Sequence, residues 1–242
     1  MIVILAAAIA AAAPAAPAAP ATAAVQAPRA ACPEVVTAHA FVCRALEASK
    51  AGKHEAAAQA FEQAAQAADD KDPAKSRMLA AAGNMWISAG QPGKAALALD
   101  RALVGTALQA EQRGDALLDR ARAAEAQNDL RTARAKLNEA AATISSDPFY
   151  WYFSAALAIR ELDKATAQSS INRALSLAPS DPTVLFEAGH VAHFVGDIPK
   201  AREHWNQAAA ADPAGPIGKA AREAIALLPT PVTGKSPAAK TQ

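Results

Sequence analysis

Aromatic residues are scarce in this sequence: they make up 5% of its 242 residues, and the formal net charge is only +1. The near balance of charges and the lack of basic runs interleaved with aromatics argue against binding to nucleic acid or to an anionic membrane surface. A Gly-rich phosphate loop, a nucleophile elbow and a metalloprotease helix motif are also missing, so an enzymatic role has little support. Alanine is abundant instead, and its helix propensity and small size favour closely packed helices.

Cysteine is almost absent as well, with only Cys32 and Cys43, eleven residues apart. In an exported chain two cysteines are most simply a disulfide, which here would attach the N-terminal segment to the first helix. Closing this short loop would contribute about 2–3 kcal/mol, mainly by restricting the unfolded chain. The alternative, which stays open, is a pair of buried thiols.

The N-terminal segment has the pattern of an export signal. Residues 1–13 are apolar, an Ala/Pro stretch follows to about residue 28, and Ala21-Thr22-Ala23 has the small-x-small pattern of a cleavage site. We therefore predict a signal peptide at 1–23, a flexible leader at 24–37, and a periplasmic or secreted mature chain. The alternative of a membrane anchor needs about 20 apolar residues, and prolines interrupt the run before that. Without a functional signal the chain would be cytoplasmic.

A fixed period of 34 residues organises the chain between residues 115 and 213. Three aspartates lie 34 residues apart, and each is followed after four, eight and eleven residues by an alanine, a bulky apolar residue and another alanine. The three sets are Asp129, Ala133, Leu137, Ala140; Asp163, Ala167, Ile171, Ala174; and Asp197, Ala201, Trp205, Ala208. A period of this length is typical of a stack of identical helical units, each packing on its neighbours.

The same template recurs upstream at intervals of 38, and the chain divides into five predicted units of two antiparallel helices. The unit boundaries are about 38–73, 74–105, 106–147, 148–181 and 182–213. The second helices are predicted at roughly 54–70, 92–104, 130–144, 164–177 and 198–210. A capping helix is predicted at 214–228 and a disordered tail at 229–242.

Helix starts and turns have their own signals. Asp147-Pro148 and Asp181-Pro182 predict N-capped first helices, and Thr106-x-x-Gln109 resembles a capping box. The turns between the two helices of a unit contain Gly52, Gly90, Asn128, Leu162 and Gly196 at equivalent positions. Glycine and asparagine suit a left-handed residue there, but leucine does not. We therefore expect the fourth turn to be closed by the following aspartate or to be tighter.

This order of small and large residues resembles the tetratricopeptide repeat family. The last unit carries the resemblance best, through Leu185, Ala188-Gly189, Ala192, Gly196-Asp197, Ala201, Trp205, Ala208 and Pro213. The resemblance implies an all-α, right-handed solenoid of about five helix-turn-helix repeats with a C-terminal capping helix. It also implies a non-catalytic protein without a cofactor, whose first helices line a concave groove for a partner protein or peptide.

By that resemblance, ten residues of the first helices are expected to contact the partner: Arg77, Asn84, Arg122, Phe149, Tyr152, Arg160, Phe186, His190, His193 and Phe194. Residues 149–153 hold five of the eleven aromatics, and consecutive helical residues cannot all face one core. We expect Trp151 to be the core residue, with Phe149 and Tyr152 on the groove side. The alternative is that the extra rings cover the neighbouring repeat.

The predicted polar groove residues have two further interpretations. Arg77, Asn84, Arg122 and Arg160 resemble in part a clamp for a partner's carboxylate, because arginine binds carboxylates bidentately. Alternatively, these arginines pair with Asp115 and Glu125 of the chain itself. His190 and His193 lie one helical turn apart, but a metal site needs three or four ligands, so partner contact is favoured and no metal is expected.

The sequence therefore predicts a protein–protein interaction scaffold that binds a partner segment in its groove, chiefly at units four and five. The alternative is a structural subunit of an envelope assembly, acting through self-association of its last helix and the region of Trp205. A cell-wall enzyme would need a paired acid and base in a pocket, which the sequence does not show.

Overall fold

The protein is represented by a computed structural model that describes residues 32–229. The predicted signal peptide, residues 24–31 of the leader and residues 230–242 of the tail lie outside the described residues. Within the described range the chain forms eleven α-helices and no strand. The helices are α1 (Ala38–Lys50), α2 (His54–Ala67), α3 (Ala74–Ser88), α4 (Pro92–Ala102), α5 (Ala110–Ala126), α6 (Leu130–Ile144), α7 (Pro148–Arg160), α8 (Lys164–Leu177), α9 (Pro182–Val195), α10 (Ile198–Ala211) and α11 (Pro216–Ala226).

The first ten helices form five antiparallel pairs, α1–α2 to α9–α10, and each pair packs on the next. The first helices α3 and α5, and likewise α7 and α9, also contact each other directly. The last helix, α11, packs on α10 and closes the end of the stack. This is the predicted all-α, right-handed solenoid, and the predicted second helices agree with the observed ones within three residues at each end.

Each unit is held together by one small and one bulky residue, sixteen positions apart on its two helices. The five pairs are Ala45 and Phe61, Gly83 and Leu99, Ala121 and Leu137, Ala155 and Ile171, and Gly189 and Trp205, and all ten residues are buried. In two pairs the small residue is glycine because the bulky side chain occupies the space where a Cβ would stand. The repeated sequence pattern thus reflects the crossing of two helices at close range.

The periodic aspartates have a local role that explains their spacing. Asp129, Asp163 and Asp197 are the N-cap residues of α6, α8 and α10, and each side chain accepts a hydrogen bond from the third backbone N–H that follows. Asp147 and Asp181 cap α7 and α9, as the Asp-Pro pairs predict. Each cap satisfies a backbone donor that the first helical turn leaves free.

The predicted start of α5 is wrong. Thr106 is not an N-cap, because the helix begins four residues later at Ala110 with Gln109 as its cap residue. Between them Leu108 is 5% exposed and packs into the core of the first units. Burial of this leucine holds the connection in a non-helical path that a local capping signal does not reveal.

The fourth turn is closed at the following aspartate, as expected, but its leucine is left-handed, which the sequence did not predict. Leu162 adopts a left-handed conformation with φ of 60°, as Asn128 does in the preceding unit with φ of 63°. The backbone N–H of Asp163 donates to Ala158 O (2.9 Å), which is the bond that closes this type of helix end. The geometry of the unit therefore imposes on leucine a conformation that costs about 1–2 kcal/mol.

The aromatic run at the start of α7 is arranged differently from the expectation. Tyr150 and Phe153 are the buried residues, 5% and 8% exposed, whereas Trp151 is half-buried and its Nε1 donates to Ser145 O (2.7 Å). Trp151 lies between two core clusters and packs against both. An indole N–H that must reach a carbonyl oxygen favours this boundary position over the core.

The N-terminal end of the described chain is attached to α1 by a disulfide between Cys32 and Cys43. Arg44, the next residue, donates hydrogen bonds to Pro33 O (3.0 Å) and Val35 O (3.3 Å), and its guanidinium stacks over Phe41. Covalent and polar contacts thus fix residues 32–37 on the first helix. None of the helices between residues 32 and 229 is long and apolar enough to cross a membrane.

Candidate functional site on the concave face

Three cavities lie between neighbouring first helices, which line the concave face of this solenoid. One of about 260 Å³ lies between α3 and α5, and two, of about 450 Å³ and 360 Å³, lie between α7 and α9. We call them the α3–α5 cavity, the capping-end cavity beside Asp147 and Asp181, and the Glu187 cavity. Nine of the ten predicted contact residues, all but Arg160, line these cavities or touch side chains that do.

At the α3–α5 cavity, two of the four polar side chains predicted to clamp a partner, Asn84 and Arg122, bind one carboxylate of the chain itself. The Asn84 amide donates to Asp119 Oδ2 and the Arg122 guanidinium donates to Asp119 Oδ1, both at 2.8 Å. Arg77 is exposed at the cavity wall, opposite Asp115. Burial and the nearby Asp119 raise the pKa of Asp115. The site therefore presents carboxylates as well as cations.

Arg160 is also engaged within the chain. It donates to Glu125 O and Asn128 Oδ1, both at 2.8 Å, and forms an ion pair with the Glu125 carboxylate. These bonds connect the end of α7 to the end of α5. The Arg160 guanidinium is therefore not free to bind a partner in the groove. Of the two open pairings, Arg160 with Glu125 is present, whereas the partner of Arg122 is Asp119 and not Asp115.

The capping-end cavity contains the predicted aromatic residues of unit four. Phe149 and Tyr152 are half-buried and stack edge to face with their ring centroids 4.8 Å apart. They line the cavity together with Thr183 and Val184 of α9. The Arg122 guanidinium carbon lies 5.5 Å from the Phe149 ring centroid. The aromatic pair is therefore next to the polar side chains of the α3–α5 cavity. Such partly exposed rings supply apolar contact area to a ligand.

The aromatic residues of unit five form a separate group. Phe186 stacks on His190 (4.5 Å between centroids), and His190 in turn lies 5.3 Å from the Trp205 ring. His193 is exposed, with its ring 6.0 Å from the same tryptophan. The single aromatic patch expected from the sequence is therefore two groups, of which the second is organised around a buried tryptophan.

The Glu187 cavity has apolar walls and one carboxylate. Ile159, Ala156 and Phe194 provide the walls, and His190 and His193 complete the lining. Burial raises the pKa of Glu187 from 4.5 to about 7. Burial also lowers the pKa of His190, and the neighbouring His193 lowers it further. An ionised carboxylate is thus disfavoured here until a cation approaches it.

Sequence reasoning missed Asp119 and Glu187. Asp119 had a signal, since it precedes Arg122 by three residues and i, i+3 pairs of opposite charge face each other on a helix. Glu187 had none, because its isolation depends on which residues α7 places opposite it. Among residues 32–229 no three His, Cys, Asp or Glu side chains are grouped so that they could hold a metal ion.

No protein-family model matches the sequence, and no curated protein matches it. Solved structures match the fold with sequence identities below 25%. TTC0263, a thermophilic TPR protein in Thermus thermophilus, superposes with a TM-score of 0.64 at 15% identity, covering 78% of this chain and all of the other. PilW, a widely conserved type IV pilus biogenesis factor, superposes with a TM-score of 0.63 at 17% sequence identity. The match covers 76% of this chain and 81% of PilW.

A third structure, YrrB, is described as a TPR protein with an unusual peptide-binding site. It superposes with a TM-score of 0.53 at 17% identity and covers 77% of this chain and 92% of its own. The paired helices, the small and bulky crossing residues and these superpositions agree with one another. The chain therefore has the tetratricopeptide repeat fold.

Proposed function

We propose that this chain is a non-catalytic scaffold that binds a segment of another protein in the groove between α7 and α9. The observation that carries the proposal is the pair of cavities between these two helices, about 450 Å³ and 360 Å³, each lined in part by half-buried aromatic side chains. Partly exposed rings beside open cavities are the usual anchoring sites for a docked peptide. The peptide-binding site described for YrrB, a protein of the same fold, supports this interpretation.

A steric block of the groove tests the proposal without removing packing. Ala156 lies on the wall of the Glu187 cavity, so Ala156→Arg would fill the cavity and leave the aromatic groups intact. Ala142 is exposed on α6, away from all three cavities, and Ala142→Arg is the matched control. Affinity capture from an extract of the source cell is expected to yield a protein that binds the unchanged chain and the control but not Ala156→Arg. Equal capture by all three would move the binding site elsewhere.

Self-association in an envelope assembly is the second candidate function. The surface for it cannot include Trp205, although the sequence predicted that region. Trp205 is 3% exposed and its Nε1 donates to Phe186 O (3.0 Å), so it belongs to the core and not to an interface. Leu227, 87% exposed at the end of α11, is the apolar side chain that this candidate retains. Light scattering decides: a dimer that Leu227→Asp dissociates favours assembly, and a monomer at all concentrations favours the scaffold.

We further propose that the chain acts outside the cytoplasm. The disulfide between Cys32 and Cys43 supports this, because such bonds persist in oxidising compartments. The type IV pilus biogenesis factor among the structural relatives is consistent with a role in the cell envelope. Mass spectrometry of the protein purified from its cell is expected to show a mature N-terminus near Ala24 and an intact disulfide. An N-terminus within residues 1–10, with reduced cysteines, would contradict the proposal.

A further inference from the structure

We infer that the segment bound in this groove is basic, and that the Glu187 cavity takes one of its lysine or arginine side chains. The inference rests on the proposed function and specifies the chemistry of the partner. It differs from the expectation of a carboxylate clamp, in which arginines of the groove would hold an acidic group.

The walls and the single charge of the Glu187 cavity suit a long basic side chain. Ile159 and Phe194 offer apolar surface to an aliphatic stem, and the Glu187 carboxylate lies in the same cavity. A stem that packs on apolar residues while its charged end meets a carboxylate is the usual way in which lysine and arginine are bound. The cavity volume of about 360 Å³ is large enough for a side chain of this length.

No residue between 32 and 229 donates a hydrogen bond to Glu187 or forms an ion pair with it. Its carboxylate is half-buried against apolar walls, where an isolated charge is costly. A cation from a partner would supply a counter-charge, and burial, which raises the pKa of Glu187 to about 7, shows the same preference for neutralisation of this carboxylate. Lys164 lies over the Phe194 ring, with its Nζ 5.7 Å from the ring centroid.

The rest of the concave face has the same sign of charge. Among the described residues that line the three cavities, carboxylates outnumber cationic side chains by five to one, histidines apart. The carboxylates are Asp115, Asp119, Asp147, Asp181 and Glu187, and the cation is Arg77. Arg122 pairs with Asp119 and Arg160 with Glu125, so four carboxylates and Arg77 line the cavities without an ion-pair partner among the described residues. A groove of this composition attracts a basic segment and repels an acidic one.

Selection from a phage-displayed library of random peptides tests the inference. The baits are the full chain and its Glu187→Gln and Ala156→Arg variants. Peptides selected on the full chain are expected to be enriched in lysine or arginine severalfold over the starting library, and Glu187→Gln should lose this enrichment. The inference is overturned if basic residues are not enriched on the full chain. It is also overturned if they are enriched equally on the full chain and on Glu187→Gln.

One selected peptide then isolates the contribution of the charge. Norleucine in place of its lysine keeps the stem and removes the ammonium group. We expect this replacement to weaken binding to the full chain about tenfold, and binding to Glu187→Gln by less than about twofold, because the two groups then have no interaction to lose. Equal weakening on both proteins would show that the lysine does not contact Glu187.

The outcomes separate the inference from the proposed function. Some selected peptides could lose their binding to Ala156→Arg and yet carry no basic residue. Such peptides would refute the inference and leave the proposed function standing. Peptides that bind equally to Ala156→Arg would refute both. If peptides are selected only after removal of residues 230–242, which include Lys235 and Lys240, the chain's own C-terminal segment occupies the groove and the inference is overturned.

Discussion

A Cβ atom on Gly189 would lie 2.2 Å from Nε1 of Trp205. The indole therefore rests directly on the backbone of α9, where it also donates to Phe186 O. The same relationship recurs in unit two, where a Cβ on Gly83 would lie 2.4 Å from Leu99 Cγ. Close contact of a bulky side chain with a bare backbone is what fixes the two helices of these units against each other.

Gly189→Ala is expected to lower the free energy of unfolding by about 1–3 kcal/mol, because the added methyl group must displace the buried Trp205 ring. The control is Gly93→Ala on α4, where the nearest atom is 4.0 Å away. There the change should stabilise the protein by up to about 1 kcal/mol through helix propensity alone. Urea unfolding of both variants measures the difference, and equal effects would contradict the packing described for Trp205.

Leu162→Gly is expected to raise the free energy of unfolding by about 0.5–1 kcal/mol, since glycine adopts the left-handed conformation without the steric cost that leucine has. The leucine side chain is 78% exposed, so little apolar burial is lost. Leu97→Gly makes the same change at an exposed position, 69% exposed, inside α4. That control should instead destabilise the protein by about 1 kcal/mol. Thermal unfolding that shifts in the same direction for both would exclude strain at Leu162.

A buried hydroxyl pair connects the two helices of unit four. Ser154 Oγ and Ser170 Oγ are 3.0 Å apart, and Arg134 donates to Ser154 Oγ at the same distance. Ser154→Ala is expected to cost about 1–3 kcal/mol because it leaves buried polar groups without their partner. Ser169→Ala, on the exposed face of α8, should change stability by less than about 0.5 kcal/mol. Denaturant unfolding tests this, and a cost for Ser154→Ala as small as that of the control would contradict it.

Glu187 should make stability depend on pH. Its pKa is raised from 4.5 to about 7, so the folded state binds its proton more tightly than the unfolded state does. The contribution of this group to stability is therefore fully present below about pH 4.5 and is lost as the pH rises through 7. Glu187→Gln cannot ionise, so it should not lose stability as the pH rises. At about pH 8 we expect the variant to be more stable than the unchanged chain by on the order of 1–2 kcal/mol. At about pH 5 the two proteins should have similar stability. Unfolding curves that coincide at both pH values would contradict the burial of this carboxyl.

Binding of a basic peptide should strengthen between about pH 6 and pH 8, because deprotonation of Glu187 creates the charge that the peptide meets. The other titratable groups facing this region are His190 and His193 on α9, Tyr152 on α7 and Lys164 on α8. The pKa of His190 is lowered and that of Tyr152 is raised, so both stay neutral over most of this range. Titration calorimetry at several pH values, with Glu187→Gln as the control for the histidines, measures the effect. An equal pH dependence in the variant would show that Glu187 is not its source.

What the sequence predicted correctly rests on interactions within a unit. The 34-residue period of aspartates arises because Asp129, Asp163 and Asp197 each cap the helix that follows, and a cap involves residues only two or three positions apart. The small and bulky residues of the helix crossing are likewise properties of one unit. Repetition then makes each signal visible several times, which is why the number of units and most helix ends could be predicted.

What the sequence did not predict depends on neighbouring units. Leu162 is left-handed because the two helices it joins are already placed by their packing, which overrides the local preference of leucine. Tyr150 rather than Trp151 is buried, and it packs in the same core cluster as the residues of the preceding unit. The isolation of Glu187 follows from the apolar residues that α7 sets opposite α9. Residues far apart in sequence determine each of these features.

The carboxylates of Asp147 and Asp181 have two roles at once. Each closes the first turn of a groove helix, with Asp147 Oδ1 accepting from Phe149 N and Asp181 Oδ1 from Thr183 N, both at 2.8 Å, and each also contributes to the negative charge of the groove. Alanine at these positions would remove the charge and also loosen the start of α7 or α9, whereas asparagine would remove the charge and keep the cap. The two positions can therefore lose their negative charge without loss of stability only to the few residue types that also cap a helix.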